Sequence, residues 1–237
     1  MLNKITRLYR ELGAGPMADY LARRLLGTVG IRFHYYRLFA QPVPDKPWLL
    51  PRANNSFHIR EIAAADYHPE WFPPPAPVIQ DRYAQGARCW VAFKQEQAVG
   101  CQWLLPGPYR EDEVRCRFLP LPQGQTAWDF DVYIRPEHRL GRLFLLLWDN
   151  SNAWLREQGV GWSASRIDNL NLASIRSHQR MGAVEVGRAW FLGIGRWQLS
   201  HSAAGWHLSG HDADRPDIPV GPLPTPATEP EHLAVDG

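Results

Sequence analysis

Apolar positions recur along this chain at two periods, and the period switches every ten to twenty residues. Ile5, Leu8, Tyr9 and Leu12 stand at helical spacing, as do Met17, Tyr20, Leu21 and Leu25 with Arg24 interleaved. The spacing predicts two short amphipathic helices broken at "GAGP". "IRFHYYRLF" alternates and is aromatic-rich, which predicts a strand, and "QPVPDKPWLLP" is a proline-rich connector. Further on, "FHIREI" reads as a strand, and "PEWFPPPAP" leaves room only for a short helix ending near Gly86. "RCWVAFK", a turn at "QEQ" and "AVGCQWLL" predict a hairpin, and "EDEVRCRFLPL" and "WDFDVYI" predict two more strands. "RLFLLLWDNSNAWLREQG" predicts a helix that buries Phe144, Leu147, Trp148, Ser151 and Leu155 and stops at Gly159. "VGWSASRI" is a strand, "NLASIRSHQRMGA" a short helix, and "AVEVGRAWFLGIGRWQL" supplies two strands or one bent strand.

The pattern divides the 237 residues into a basic amphipathic N-terminal extension (1–50), a main domain (51–200) and a tail (201–237). Residues 211–237 carry six prolines and six acids against one arginine, which predicts a disordered acidic tail. Composition narrows the class. With 45% hydrophobic residues and 11 tryptophans a sizeable core is available, and a net charge of +2 argues against a dedicated nucleic-acid binder. Cys89, Cys101 and Cys116 are odd in number and include no C-x-x-C, so buried reduced thiols are expected, with no disulfide framework and no metal site. There is no run of about 18 apolar residues and no signal-peptide layout, so a cytoplasmic protein is expected. In the first forty residues Lys4, Arg7, Arg10, Arg23, Arg24, Arg32 and Arg37 face only Glu11 and Asp19. Such a basic amphipathic segment either caps the domain or lies on an anionic membrane.

Two stretches carry chemistry. In "NLASIRSHQRMGA", Asn171, Ser174 and His178 stand at i, i+3 and i+7 and share one face of the helix, which ends at Gly182. In "IRPEHRLGRLF" (Ile134–Phe144) a strand runs through an arginine- and glycine-containing turn into a helix. Unpaired amides at a helix N-terminus bind phosphate, Arg135, Arg139 and Arg142 add counter-charge, and Gly141 allows close approach.

In this order the two stretches resemble the GNAT acyltransferase superfamily, whose patterns are V-x-P-x-x-R-x-x-G-x-G after the fourth strand and N-x-x-A/S-x-x-x-Y-x-K-x-G-F after the fifth. The second pattern matches in spacing at Asn171, Ser174, position 178 and Gly182. In the first, His138 replaces the usual Gln/Arg, Gly141 takes the first glycine position and Leu143 replaces the last glycine. The resemblance spans roughly residues 57–199. It implies an α/β (α+β) fold with a mixed, twisted central sheet, splayed between its fourth and fifth strands and flanked by helices. It also implies acetyl-CoA or another acyl-CoA in the splay, held by Ile134, Arg139, Leu140, Gly141, Arg142, Leu143, Asn171 and Ser174, with no metal. Position 178, usually tyrosine, implies that His178 is the general acid for the departing thiolate. The wording "WDFDVYI…WSASRI…N" also looks like acyltransferases encoded with polysaccharide-biosynthesis genes.

A base for the amine acceptor is sought on the strand before the turn. Asp129 and Asp131 alternate with Phe130 and Val132, so both are expected on one face, with Tyr133, and mutual repulsion is expected to raise one carboxyl. The alternative is that one of them pairs with Arg115, Arg117 or Arg166. Ser163, Ser165 and Arg166 are expected to line the acceptor pocket, and "EDE" at 111–113 reads as a solvated strand start. The function expected is acyl transfer from CoA to the primary amine of a small molecule, an amino sugar among the candidates. A non-catalytic acyl-CoA binder and a peripheral membrane protein using its basic N-terminus are the alternatives.

Overall fold

The computed structural model describes residues 13–49, 56–139 and 142–222. Helix α1 (Ala14–Thr28) leads into β1 (Arg32–Pro42), followed by β2 (Phe57–Ile62), α2 (Ala76–Ala84) and the hairpin β3 (Arg88–Lys94) and β4 (Gln97–Leu105). Two short strands, β5 (Tyr109–Arg110) and β6 (Arg117–Pro120), precede β7 (Thr126–Ile134). Helix α3 (Leu143–Glu157), β8 (Trp162–Asp168), α4 (Leu172–Arg180) and β9 (Val184–Ile194) alternate, and β10 (Trp197–Ser202), β11 (Gly205–Ser209) and β12 (Asp217–Val220) follow.

Nine strands form one sheet in the order β11-β10-β9-β1-β8-β7-β4-β3-β2. Its neighbours are antiparallel except β7 and β8, which run parallel across the α3 crossover. Alternation along the strands sorts side chains to two faces. On one face α3 sets Leu143 and Leu147 against Ala92, Val99 and Ile134, and Leu155 against Trp90, Leu104 and Ala127. There α4 sets Ile175 against Phe39 and Ile167. On the other face α2 packs Ile79 into an aromatic cluster that includes Trp103, Trp128 and Phe130. Trp128 stacks on Phe118 of β6 with centroids 4.5 Å apart. The fold is thus mixed α and β, with a splayed central sheet flanked by helices.

Two of the expected boundaries change. The reading of residues 1–50 as an extension does not hold for β1, which is an internal strand between β8 and β9. "IRFHYYRLFAQ" buries Tyr36, Leu38, Phe39, Ala40 and Gln41 in succession. A continuous buried run of this kind marks a strand covered on both faces. The reading of residues from 201 onward as a disordered tail does not hold for 201–222. They complete β10 and form β11 and β12, and β12 pairs in parallel with β6. Its Ile218 and Val220 alternate into the aromatic cluster and are buried, which composition averaged over the prolines and acids conceals. The strand expected through "EDEVRCRFLPL" is confined to its last part, because residues 111–116 turn to serve ion pairs described below. The first predicted helix, with Ile5, Leu8, Tyr9 and Leu12, and the end of the chain from 223 lie outside the described residues. Helix α1 starts at Ala14, so Gly15 and Pro16 sit in its first turn rather than breaking it.

Candidate active site

Strands β7 and β8 pair only at their beginnings. Thr126, Ala127 and Trp128 face Trp162, Ser163 and Ala164, and beyond them the two strands part. A cavity of about 210 Å³ opens there, lined among others by Asp129, Asp131, Ser165, Arg166, Asn171 and His178.

Local backbone chemistry shapes the β7 side. Asp131 has φ 51°, and two residues of β7 oppose one of β4 between Cys101/Tyr133 and Trp103/Phe130. This bulge puts one extra residue into the strand and breaks its alternation. The expectation that Asp129 and Asp131 share a face with Tyr133 is therefore corrected. Asp131 turns to the α2 face, where Arg82 Nη1 donates to it at 2.5 Å, with that guanidinium over the rings of Trp103 and Phe130. Asp129 stays on the α3–α4 face, where Ser163 Oγ donates to its Oδ2 at 2.8 Å. Burial is what raises the Asp129 carboxyl above its usual range, against the pull of His178 and of hydrogen bonds from Ser163 and Ser165. Repulsion from Asp131 is not among the causes.

The β8 side divides in the same way. Ser163 and Ser165 are buried on the Asp129 face. Arg166 projects to the opposite face; Ser165 and Arg166 both line the cavity, and Ser163 lies behind it against Asp129. Arg166 Nη2 donates to Glu111 Oε1 at 2.7 Å and stands 3.2 Å from Glu113 Oε2, and the guanidinium lies over Tyr36. The Tyr36 hydroxyl donates to Glu113 Oε2 at 2.5 Å. Asp112 takes two hydrogen bonds from Arg82, at 2.8 and 3.1 Å. The "EDE" run is thus no solvated strand start. Glu111 is buried, and burial pushes its carboxyl up against the pull of Arg166. Burial works on Asp112 in the same direction, yet Arg82 holds it below the ordinary carboxylate range. Arg115 and Arg117, considered as partners for the β7 acids, bond elsewhere: Arg115 to Ser209 and the Arg196 carbonyl, Arg117 to Asp217. Sequence reasoning missed Arg82 and gave Glu111 no role. Neither carried a local signal: Glu111 stands in a charged run between Arg110 and Asp112, and Arg82 in a short polar helix.

Helix α4 supplies the third wall. Asn171 caps it, its Oδ1 accepting from the Ser174 amide at 3.2 Å, and Gly182 at φ 90° follows its end. Asn171, Ser174 and His178 line the cavity together, as their spacing predicts. The His178 ring is buried, edge-on to Trp148 with centroids 5.5 Å apart and to Phe144 at 6.1 Å. His178 Nδ1 lies 3.0 Å from the Ser174 carbonyl oxygen. A carbonyl only accepts, so Nδ1 carries a proton and donates it. Nε2 is buried and has no partner among the described residues.

The turn before α3 is only partly described, since Leu140 and Gly141 lie outside the described residues. Arg139 Nε donates to the Ile134 carbonyl at 2.8 Å, and its guanidinium lies over Tyr133. Arg135 Nε donates to the Ala98 carbonyl at 2.7 Å. Arg142 occupies the N-cap position of α3, whose first amides have no side-chain cap. The Ile134 and Leu143 side chains are in the core, which leaves only their main-chain groups for a ligand. Among the described residues no group of His, Cys, Asp and Glu could hold a metal ion, and no helix is long and apolar enough to cross a membrane.

Comparison with known proteins follows this geometry. The sequence pattern of the acetyltransferase (GNAT) family matches residues 57–183. Among solved structures, a functionally unknown conserved protein from Staphylococcus epidermidis is 12% identical over 71% of this chain and 64% of its own, with a TM-score of 0.47. A tandem GNAT protein from the clavulanic acid biosynthesis pathway is 13% identical over 72% of this chain and 57% of its own, with a TM-score of 0.48. A protein from Salmonella typhimurium with its cofactor acetyl-CoA is 21% identical over 54% of this chain and 79% of its own, with a TM-score of 0.36. The chain spans less than two thirds of the length of the first two of these. No curated protein matches it. The family pattern covers β2 through α4, the elements that build and close the splay, and by that match the chain belongs to the GNAT family of acetyltransferases.

Proposed function

We propose that the chain transfers an acyl group, acetyl in the simplest case, from acyl-CoA to the primary amine of a small molecule such as an amino sugar. The observation that carries this reading is His178, a buried imidazole whose Nε2 is unpartnered in the cavity that also holds Asp129. Buried polar atoms are satisfied in nearly all native proteins, so an orphan lining a cavity suits a ligand.

The residues present fit CoA. From Asp129 onward β7 has no partner on its β8 side, which leaves room for an extended arm to run along the strand. The uncapped amides of α3, preceded by Arg139 and Arg142, suit a pyrophosphate. Leu140 and Gly141 belong to the same turn in the proposed site. Bound acyl-CoA would supply an activated carbonyl and a sulfur leaving group.

In the proposed reaction Asp129 takes a proton from the amine as its nitrogen forms the new bond. His178, starting protonated, gives the Nε2 proton to the departing sulfur, and passage of the proton from Asp129 to Nε2 restores the pair. No net charge is left in a buried site. The Nδ1 proton stays on the Ser174 carbonyl throughout, and Asn171 fixes the helical turn that presents that carbonyl. Ser163 and Ser165 hold the Asp129 carboxylate, a positioning role in place of acceptor binding. Asp131, bound by Arg82, holds the bulge. Three buried thiols suit a reducing compartment, and a cytoplasmic location is part of the proposal.

Calorimetry with CoA and turnover of acetyl-CoA on a panel of amines test the reading. His178→Ala is expected to lower kcat about 10²-fold, the low end for proton transfer to a fair leaving group, with CoA affinity nearly intact. His178→Tyr is expected to restore much of it. Arg139→Ala or Arg142→Ala is expected to weaken CoA binding by about 1.5–3 kcal/mol. Full kcat in His178→Ala ends the acid assignment, and CoA binding without turnover on any amine leaves a binding protein.

A further inference from the structure

Helix α4 has only 9 residues, and a helix of that length is marginal without support from its surroundings. Ile175, packed on Phe39 and Ile167, anchors its middle. Its start is set by the turn at 168–171, where the chain leaves β8. Beyond Ala164 the described residues of β8 pair with β1 alone, up to the pair Tyr36–Asp168, because β7 has parted from it. The turn that aims α4 thus stands at a strand end with one neighbouring strand, and its further support comes from elsewhere in the chain.

Helix α1 supplies that support. Asp19 and Arg23 stand at i and i+4 on one face of the helix, and Asp19 is buried. Arg23 Nε and Nη2 donate to the two carboxylate oxygens of Asp19 at 2.7 and 3.0 Å, and Nη1 donates to Asp168 Oδ2 at 2.7 Å. Asp19 Oδ2 also accepts from Asn169 Nδ2 at 3.1 Å. The Tyr35 carbonyl of β1 accepts from the Asn169 amide at 2.9 Å and from Arg23 Nη2 at 3.4 Å. One guanidinium therefore joins α1, β1 and the turn, which the planar fork of arginine allows and the single ammonium of lysine does not.

Hydrogen bonds continue from this clasp to the imidazole. Asp168 Oδ1 accepts from the Leu170 amide at 2.8 Å, and the Asp168 carbonyl accepts from the Asn171 amide at 2.8 Å. Asn171 caps α4 through the Ser174 amide, and the Ser174 carbonyl accepts the Nδ1 proton of His178 at 3.0 Å. Asp168, Asn171, Ser174 and His178 line the cavity, while Asp19 and Arg23 act from outside it. Both lie ahead of residues 57–183, so the clasp is an addition to the elements that the family pattern covers.

We propose that Arg23 is a positioning residue for acyl transfer: held between Asp19 and Asp168, it fixes the β8–α4 turn and, through it, the direction in which His178 presents Nε2. The kinetic role rests on the function proposed for the splay; the clasp itself does not. Arg23→Gln is compared with Asp19→Asn/Arg23→Gln, in which no buried carboxylate is stranded. Each is expected to lower kcat per folded molecule about tenfold, with the KM for acetyl-CoA changed by less than about twofold. Added to His178→Ala, neither is expected to lower kcat further, since the clasp acts through that ring. A lower melting temperature with unchanged kcat overturns the proposal, and so does an equal fall in the His178→Ala background. Hydrogen exchange of the His178 Nδ1 proton, followed by NMR on 15N-labelled protein, is expected to quicken about tenfold or more in both variants. That readout needs no turnover. If no amine is acylated the function proposed for the splay fails, whereas Nδ1 protection equal to wild type overturns the clasp.

Discussion

The two faces of the sheet at the splay use polar residues in opposite ways. On the α2 face every charge near the cavity is answered: Arg166 by Glu111 and Glu113, Arg82 by Asp112 and Asp131. On the α3–α4 face Asp129 is buried with serine hydroxyls as hydrogen-bond partners and no guanidinium. Among the described residues that side also leaves His178 Nε2, Trp148 Nε1 and the Asn152 amide without partners, while the α2 face leaves the Tyr67 hydroxyl and Trp128 Nε1. Ion pairs that are closed and buried hold geometry, and breaking one strands a charge. Open polar groups are what a reaction can use. The comparison teaches that proximity to the cavity does not by itself mark a reacting group, because Arg166 and Asp131 line it as well.

The largest effect expected on the closed face comes from removing β12. Ending the chain at Pro216 deletes the buried Ile218 and Val220, at roughly 1.5–3 kcal/mol for each side chain, and a large drop in melting temperature is expected. An unchanged melting curve would show that this face holds without its outer strand. Arg166→Ala leaves buried Glu111 without its partner and is expected to cost about 3–5 kcal/mol in urea unfolding. Turnover per folded molecule is expected to survive that change. Stability kept with turnover lost would move Arg166 into the chemistry and break the comparison.

Effects on the open face are smaller in stability. Asn171→Ala removes the α4 cap and is expected to cost about 1 kcal/mol. If the cap also positions His178, kcat falls beyond what the melting curve explains. Asp129→Asn tests the sign of the buried carboxyl. Its folded-state carboxyl is raised, so the native state binds more protons than the unfolded chain from about pH 3.9 upward to the raised value. Stability therefore falls as pH rises through that window and stays lower above it. The asparagine variant is expected to lack this fall while losing turnover. A variant that falls below wild type in stability only as pH rises would show that the ionised carboxylate stabilises the fold.

What could be read from the sequence follows from how local each signal is. Strand and helix periods placed β3, β4, β7, α3, β8 and α4, because each rests on residues within a few positions of one another. The Asn171–Ser174–His178 stripe and the Gly182 stop were legible for the same reason. The common face for Asp129 and Asp131 was not, since ideal alternation was assumed and the bulge depends on register against β4. Arg82 could not be found, as its partners lie 30 and 49 residues away. β12 was hidden because Ile218 and Val220 are two apolar residues in a proline- and acid-rich stretch. Only contact with β6 gives them a place.

The sequence by itself determined the elements, the caps and the polar stripe of α4, since helix and strand preferences, turn chemistry and one-face periodicity act over short spans. Tertiary structure alone decided that β1 enters the middle of the sheet, that β7 and β8 part after three pairs, and that the charged residues around the cavity close into ion pairs on one face only. Those outcomes depend on which distant surfaces exclude water together, and on which buried charge then finds a partner.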